Sequence, residues 1–299
     1  MATHEVRRGV AEMTAAMLMS GTIGWFVVSS QQTSVNVVFF RCVFGAATLT
    51  VICLALGFIR RDLFSWHMLG LVSLAGAAIV GNWLLLFAAY SRASISMATT
   101  VYNTQPFMLV ALGAIVLRER VTPSTVAWLL VAFVGLVFVV RVEPAVVAIP
   151  GEYLEGVAFA LGAAFLYAVS SIIAKRLKGT PPHLIALIQV ILGALMLAPL
   201  VRFDVLSAAP VHWVQLATLG IVHTGVMYVL LYGAIQKLPT AMTGALSFIY
   251  PIVAIIVDRV AFGQRLEWIQ MLGAALILLA AAGVNLGWRI VPQRRLSST

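Results

Sequence analysis

Polar and aromatic side chains interrupt several long apolar stretches of this sequence, and they are its best candidates for chemistry. The carboxamides are the most informative, because a carboxamide has four hydrogen-bonding positions that an apolar interior rarely satisfies. Tyrosine and tryptophan add an apolar ring with a polar tip, which suits contact with a partly apolar solute. The alternative is that each side chain packs against its own neighbours or bonds to them. We predict that a central cavity is lined by Trp25, Asn82, Tyr102, Asn103, Tyr167, His223, Tyr228 and Tyr250.

Two titratable groups lie well inside the apolar stretches. His223 either stays neutral and bonds to a neighbour, or it contacts a solute or carries a proton. Arg41 lies about seven residues into its stretch, from where its long side chain could extend outward or meet a carboxylate. The acidic residues all lie near the ends of stretches or in connections, which disfavours a proton relay built on a buried carboxylate.

Two prolines are predicted to kink the stretches that carry them. Pro106 and Pro251 each lack a backbone N–H, so each leaves the carbonyl four residues earlier, on Tyr102 and Ser247, without its helical partner. A kink there bends the helix and supplies a hydrogen-bond acceptor. The alternative is that the prolines only shape the packing of the helices.

Composition indicates where these side chains lie. The chain has 299 residues, of which 62% are hydrophobic and only 10% are charged, which is outside the range of soluble domains. Helices of about 20 residues cross a bilayer. The predicted spans are 10 to 30, 34 to 56, 67 to 90, 94 to 117, 123 to 141, 153 to 174, 183 to 201, 212 to 235, 240 to 262 and 268 to 288.

Several classes of function are disfavoured. The net charge of +9 comes from basic residues between apolar runs, and no basic patch interleaved with aromatic residues indicates a nucleic-acid partner. The sequence has no glycine-rich phosphate loop, no zinc-binding motif and no nucleophile motif, so we predict no catalytic site, no cofactor and no metal. Cys42 and Cys53 share one apolar run and are expected to be packing residues.

The chain repeats itself. The segment that runs from Ser94 to Pro106 is echoed by the segment from Thr240 to Pro251. When the two prolines are aligned, the same offset places Met97 on Met242 and Arg120 on Arg265. It also places the run Leu-Leu-Phe-Ala-Ala at 85 to 89 on Leu-Leu-Tyr-Gly-Ala at 230 to 234. We therefore predict two copies, residues 1 to 142 and 153 to 290, with five helices each.

Positive charge indicates the orientation, because basic residues stay preferentially in the cytoplasm. With the N-terminus inside, most of the 19 Lys and Arg residues lie on the inner side. The outer side then holds Arg92, Arg141, Arg202, Arg259 and Arg265. Both termini are therefore predicted to be cytoplasmic. Because five is odd, the second copy crosses the membrane in the opposite sense, and such inverted repeats are typical of secondary transporters with a midplane site.

These features carry a family resemblance. Each copy has a proline in its fourth helix and a turn before its fifth, Leu117-Arg118-Glu119-Arg120 in the first and Phe262-Gly263-Gln264-Arg265 in the second. The pattern resembles the drug/metabolite transporter superfamily, in particular its ten-helix EamA-type exporters, and most of all the bacterial aromatic amino acid exporters among them. Glu119 matches the family's acidic residue at the end of the fourth helix, whereas the second copy has Gln264 there.

Together, residues and resemblance predict an all-α integral membrane protein with ten transmembrane helices in two inverted five-helix repeats around a central cavity. From the residues we expect a facilitative carrier that works by alternating access. The resemblance implies export of amino acids, aromatic ones included, across a bacterial inner membrane. We also expect the protein to function as a monomer, with an amino acid and the lipid bilayer as its partners. The alternatives are efflux of other small metabolites or lipophilic drugs and, from a different class, a channel.

Overall fold

The computed structural model describes residues 2–60, 63–93, 98, 101–139, 150–205, 209–262 and 267–290, and these are mostly helical. The helices before residue 140 are α1 (Ala2–Ser20), α2 (Ile23–Ser29), α3 (Ser34–Ala55), α4 (Trp66–Ala93), α5 (Gln105–Val116) and α6 (Pro123–Val139). Those after it are α7 (Pro150–Arg176), α8 (Pro182–Leu197), α9 (Pro210–Gly220), α10 (Met227–Lys237), α11 (Thr240–Ser247), α12 (Ile249–Phe262) and α13 (Trp268–Leu286). A π-helical segment, Ile221–Val226, joins α9 to α10, and two 3₁₀ turns, Ala198–Leu200 and Phe203–Val205, follow α8.

Length and composition identify helices that can cross a membrane. Seven segments of the described chain qualify: His4–Val27, Ser34–Ala55, Trp66–Ala89, Gly151–Arg176, Pro182–Leu200, Pro210–Lys237 and Trp268–Leu286. Three shorter apolar helices, Gln105–Val116, Pro123–Val139 and Thr240–Ala254, coincide with the remaining predicted spans. The protein is a multi-pass, all-helical membrane protein, and the number of ten crossings stays a prediction.

Four of the predicted spans are not continuous α-helices. The first is divided at Gly21 and Thr22, where a Cβ on Gly21 would lie 2.4 Å from Val253 Cβ, so that only glycine admits α12 at the break. The fourth is interrupted by a turn at Asn103 and Thr104, just before Pro106. The eighth contains the π-helical segment, and the ninth is interrupted at Phe248. The sequence predicted kinks in the fourth and ninth spans, at Pro106 and Pro251, but it predicted no irregularity in the first and eighth, and that was wrong.

The main packing contacts join helices from before residue 140 to helices from after residue 150. α4 packs along α7, α6 along α13, α3 along α8 and α1 along α10. At the crossing of α6 and α13, a Cβ on Gly135 would lie 2.7 Å from the carbonyl oxygen of Gly273. A Cβ on Gly273 would in turn lie 2.5 Å from the carbonyl oxygen of Gly135. Two glycines therefore allow these backbones to touch, as is common between membrane helices.

The outer surface is apolar, whereas the buried interior contains polar groups. Large apolar side chains such as Leu130 and Val134 on α6 and Leu195 on α8 are exposed. Fully or nearly fully buried polar residues include Asn82 and Asn103. This inverted distribution is that of helices surrounded by lipid, in which polar side chains face protein.

Some sequence predictions lie outside the described residues. They include the beginning of the repeated segment, 94–97, and the turn before the last helix of the second copy, 263–266, with Gln264 and Arg265. They also include most of the predicted connection between the two copies, 140–149, with Arg141.

Candidate functional site

The two helical regions that contain the prolines meet side by side. α5 begins at Gln105 immediately before Pro106, and a turn precedes it. Asn103 Nδ2 donates a hydrogen bond of 2.9 Å to Tyr250 Oη, and Gln105 Nε2 donates a long one of 3.5 Å to Ser247 Oγ. Each bond therefore joins the polar residues just before one proline to those just before the other. The interrupted helices form the first part of the candidate site.

Close contact at this junction depends on a glycine. A Cβ on Gly244 of α11 would lie 3.2 Å from Pro106 Cβ, tighter than an ordinary contact. α11 ends at Ser247, and α12 begins at Ile249 after an interruption at Phe248. Pro251 therefore lies in the first turn of α12, where its missing N–H breaks no intrahelical bond.

A second group of polar side chains lies between α4 and α7. Asn82 Nδ2 donates to the carbonyl oxygen of Ala163 at 2.7 Å and to Tyr102 Oη at 3.3 Å. The Tyr102 ring lies edge-on to the Tyr167 ring, with centroids 6.4 Å apart. Asn82 is almost completely buried, and its amide therefore fixes the position of a tyrosine hydroxyl inside the bundle.

His223 lies in the π-helical segment and faces the break between α1 and α2. The Thr22 hydroxyl donates to the carbonyl oxygen of Met19 at 2.8 Å and lies 2.7 Å from His223 Nε2. His223 Nδ1 lies 3.4 Å from the carbonyl oxygen of Thr218, so the tautomer of the ring decides which atom donates in the bond between Nε2 and Thr22. The His223 ring also lies 5.0 Å from the Phe26 ring. Two irregular helical segments are thus joined through one histidine.

Arg41 is a buried cation next to this histidine. Its Nε donates to Thr224 Oγ1 at 3.0 Å, and its Nη2 donates a long bond of 3.4 Å to the carbonyl oxygen of His223. The guanidinium carbon lies 4.5 Å from the centroid of the Trp83 ring, which is a cation–π contact. The Trp83 ring in turn lies edge-on to Tyr228 at 5.9 Å. Arg41 is therefore held between α3, α4 and the π-helical segment.

A separate ionic cluster, consisting of Glu12, Glu119, Lys175, Lys237 and Thr240, lies at the end of the bundle near the N-terminus. Glu119 accepts bonds from Lys175 Nζ at 2.5 Å, from Thr240 N at 2.9 Å and from Thr240 Oγ1 at 2.6 Å. Lys237 Nζ donates to Glu12 Oε2 at 2.7 Å. The cluster joins residues from before and after the middle of the chain.

Electrostatics at Glu119 favour its charged form. Burial raises the pKa of this carboxyl, but the bonds from Lys175 and Thr240 and the Lys175 charge outweigh burial and lower the pKa below its ordinary value. Thr240 is the first residue of α11, so the carboxylate also lies at a helix N-terminus, where negative charge is favourable.

Sequence comparison identifies the family to which this arrangement belongs. The model of the EamA-like transporter family matches residues 7–141 and, a second time, residues 154–286. The chain belongs to the EamA-like transporter family. It is therefore a transmembrane transporter and not an enzyme.

Relatives of this EamA-like transporter are distant but extend over most of its length. An uncharacterized transporter, YxxF, of Bacillus subtilis is 27% identical, with 91% of this chain and 88% of the relative covered. A probable amino-acid metabolite efflux pump of Salmonella typhimurium is 25% identical, over 73% of this chain and 76% of the relative. The threonine/homoserine exporter RhtA of Escherichia coli K12 is 25% identical, over 71% and 69%. A crystal structure at 21% identity has a TM-score of 0.80 and covers 93% of this chain and 96% of its own, which shows a shared fold.

Seven of the eight residues predicted for the site of this EamA-like transporter belong to three groups of contacting side chains, and Trp25 belongs to none of the three. Asn82 lies with Tyr102 and Tyr167, Asn103 lies with Tyr250, and His223 and Tyr228 lie on the two sides of the Arg41 contacts. Trp25 is half buried on α2, and its ring packs edge-on against the neighbouring Phe26. Their role in binding stays a prediction.

Sequence reasoning missed Gln189 and Tyr232. The Tyr232 hydroxyl donates a hydrogen bond to Gln189 Oε1, and the Tyr232 ring lies 5.4 Å from the Tyr228 ring. The signal for Gln189 was the one that identified Asn82, a carboxamide in the middle of an apolar run. Tyr232 lies one turn after Tyr228, on the same face of α10.

The described part of the EamA-like chain has a cavity that lies away from these residues. Within the residues described, no three His, Cys, Asp or Glu side chains are grouped so as to hold a metal ion. A cavity of about 280 Å³ lies between α6 and α13 and is lined by Thr122, Trp128, Gly283 and Trp288 among others. None of the predicted site residues lines it.

Proposed function

We propose that this EamA-like protein exports amino acids, aromatic ones included, as a facilitative secondary transporter that works by alternating access. The observation that carries the proposal is the hydrogen bond between Asn103 and Tyr250. It brings a carboxamide and an aromatic hydroxyl together where two interrupted helices cross, and interrupted helices are where membrane transporters commonly bind their substrates.

The packing of the helices supports two inverted five-helix repeats, residues 1–142 and 153–290, in a ten-span bundle. In the predicted repeat, α1 corresponds to α7 and α4 to α10. Exchanging the two copies therefore turns the contact of α4 with α7 into the contact of α10 with α1, and the structure has extensive contacts of both kinds. The contacts of α3 with α8, of α5 with α11 and of α6 with α13 each map onto themselves. The double match of the family model also fits this arrangement. Many alternating-access carriers are built from two such halves.

The chemistry of the buried side chains supports an amino-acid substrate. Tyr102, Tyr167 and Tyr228 offer aromatic faces, and buried carboxamides offer donors and acceptors. Gln105 Oε1 is buried and accepts no hydrogen bond from the residues described, so it is available to an ammonium group. Two relatives are named for amino-acid efflux and for threonine and homoserine export, which agrees with this substrate class.

The location and orientation follow from charge. We propose the bacterial inner membrane with both termini in the cytoplasm, which places the ionic cluster around Glu119 on the cytoplasmic side. We further propose that one chain suffices for transport, because each half supplies side chains to the same site.

Export from cells tests the proposal. Cells that overproduce the protein are loaded with dipeptides that release threonine, homoserine or phenylalanine, and the free amino acids in the medium are measured over time. We expect faster release than from cells with an Asn103→Ala variant at equal membrane abundance. If both kinds of cells release every amino acid equally fast, but wild-type cells export a lipophilic cationic dye faster, the result would favour drug efflux instead.

A further inference from the structure

Arg41 carries a charge at a depth where charges are costly. It lies on α3, seven residues after Ser34, which is about 10 Å from the start of the helix at 1.5 Å per residue. Its side chain is only 2% exposed. An ionised group inside the hydrocarbon region usually marks a functional site and usually has a partner.

The partners of Arg41 are all uncharged. They are the Thr224 hydroxyl, the His223 carbonyl oxygen and the face of Trp83. Among the described residues, none of the ion pairs includes Arg41: the carboxylates in those pairs are Glu12, Glu119, Glu155 and Asp204. The net positive charge of the guanidinium is therefore not balanced within the described part of the bundle.

The geometry of these contacts leaves a binding edge of the guanidinium unused. The two hydrogen bonds involve Nε and Nη2, and Nη1 donates to no group in the part of the chain that the structure describes. A guanidinium has five N–H donors arranged as a planar fork, and the edge formed by its two terminal nitrogens matches the two oxygens of a carboxylate.

The backbone around Arg41 fixes this arrangement. A Cβ on Gly45 would lie 2.8 Å from Thr224 Cγ2, and a Cβ on Gly220 would lie 2.3 Å from Phe44 Cβ. These two glycines allow α3 to approach the π-helical segment closely. A π-helical turn displaces carbonyls from the α-helical pattern and is often found at functional sites, and here the His223 carbonyl oxygen faces Arg41.

We propose that Arg41 binds the carboxylate of the transported substrate. The inference rests on the proposed function and deepens it, because it makes a free carboxylate, rather than an aromatic side chain, the feature that every substrate must have. Trp83 and Tyr228 lie on one side of the cation, so the remainder of the solute meets aromatic faces. A carboxylate-bearing zwitterion also neutralises the buried charge while it is bound.

Counterflow with matched substrates tests this role in reconstituted vesicles. The best-transported amino acid is compared with its primary amide, which has the same side chain and amine but no carboxylate. In the wild type, we expect the amide to have a KM about ten- to a hundredfold higher, the usual cost of a lost charge-assisted hydrogen bond. Arg41→Gln should raise the KM of the amino acid to the value of the amide and leave the KM of the amide unchanged.

Controls separate binding from structure. Arg202→Gln removes an exposed arginine that pairs with Asp204 on the surface and should change neither KM. If Arg41→Gln slows the amino acid and the amide equally while the wild type discriminates between them, Arg41 is structural and the inference is wrong, although the proposed function stands. If the wild type transports no amino acid, the proposed function and the inference both fail.

Purified wild-type protein provides a second measurement that needs no variant. The amino acid should raise the Tm of the detergent-solubilised protein, and its amide at the same concentration should not. An equal rise with both ligands would overturn the inference even if Arg41→Gln does not fold.

Discussion

Asn103 Nδ2 lies 2.9 Å from Tyr250 Oη, and this bond joins the two halves of the protein at their interrupted helices. The two residues are not equivalent in the repeat, since the offset that aligns Pro106 with Pro251 places Gln105 on Tyr250. The site is therefore asymmetric in chemistry although the helices that build it are related.

Loss of either member of this bond should weaken substrate binding. Asn103→Ala and Tyr250→Phe are each expected to raise the KM by about ten- to a hundredfold, because each removes a hydrogen bond to a charged substrate group. The double variant should raise the KM by less than the product of the two single increases, because the two residues contact each other. Tyr153→Phe, which removes a hydroxyl at the start of α7, is the control. Unchanged KM in both variants would place the substrate elsewhere.

The Tyr102 hydroxyl is expected to act through its orientation by Asn82. Tyr102→Phe should weaken transport while leaving the protein in the membrane, and Asn82→Ala should weaken it more because it also removes the bond to the Ala163 carbonyl oxygen. Initial rates of uptake, normalised to protein in the membrane, measure both effects. A normal rate for Tyr102→Phe would show that this hydroxyl serves packing alone.

The topology can be tested with cysteines in a protein that lacks Cys42 and Cys53. Asp204→Cys, in the exposed connection between α8 and α9, should react with an impermeant thiol reagent added to intact cells. Lys178→Cys, after α7, should react only once the membrane is opened. The reverse pattern would contradict cytoplasmic termini.

Glu119 should make stability depend on pH. Its pKa is lowered in the folded protein, so its contribution is fully present above the ordinary value of 4.5 and is lost as the pH falls through the lowered pKa. Glu119→Gln should lower the Tm at neutral pH, by an amount that corresponds to about 1 to 3 kcal/mol, and should flatten the decrease of Tm on acidification. Glu155→Gln, which breaks the half-exposed pair with Arg92, should change little. Equal pH profiles for Glu119→Gln and wild type would exclude this role.

Transport should not require a proton gradient. In the described part of the chain, the ion-paired carboxylates Glu119, Glu155 and Asp204 lie near helix ends or in connections. Glu12 lies within α1, where it pairs with Lys237, and His223 is the buried group near the middle of its span that could carry a proton. We therefore expect a facilitative carrier whose flux is unchanged when a protonophore is added to vesicles. Accumulation driven by an imposed pH step and abolished by His223→Ala would instead identify the histidine as a coupling group.

The sequence predicted the apolar helices well but not their interruptions. The run 34 to 56 corresponds to Ser34–Ala55, because an uninterrupted apolar stretch has only one way to satisfy its backbone in lipid. The break before α5 had a signal in Pro106, whereas the π-helical segment around His223 had none. The division at Gly21 starts a new helix, so the face on which Trp25 lies could not be derived from the residues of α1.

The contacts of Arg41 show a second limit. Its charge and depth are visible in the sequence, but its partners lie on helices distant along the chain, and they depend on a close approach at Gly45 and Gly220. Spacing along one helix carries no information about such an approach. The same holds for Gln189 and Tyr232, which are joined only by the packing of α8 against α10.

Counterflow in vesicles that contain the purified protein tests the central claim most directly. Vesicles loaded with unlabelled threonine or phenylalanine receive a trace of the labelled amino acid outside, with no ion gradient. An alternating-access carrier should accumulate the label transiently, with saturation by external substrate, and Asn103→Ala should reduce this overshoot at low substrate concentration. Label that only equilibrates, without an overshoot or saturation and with unitary electrical currents, would show a channel and contradict the account.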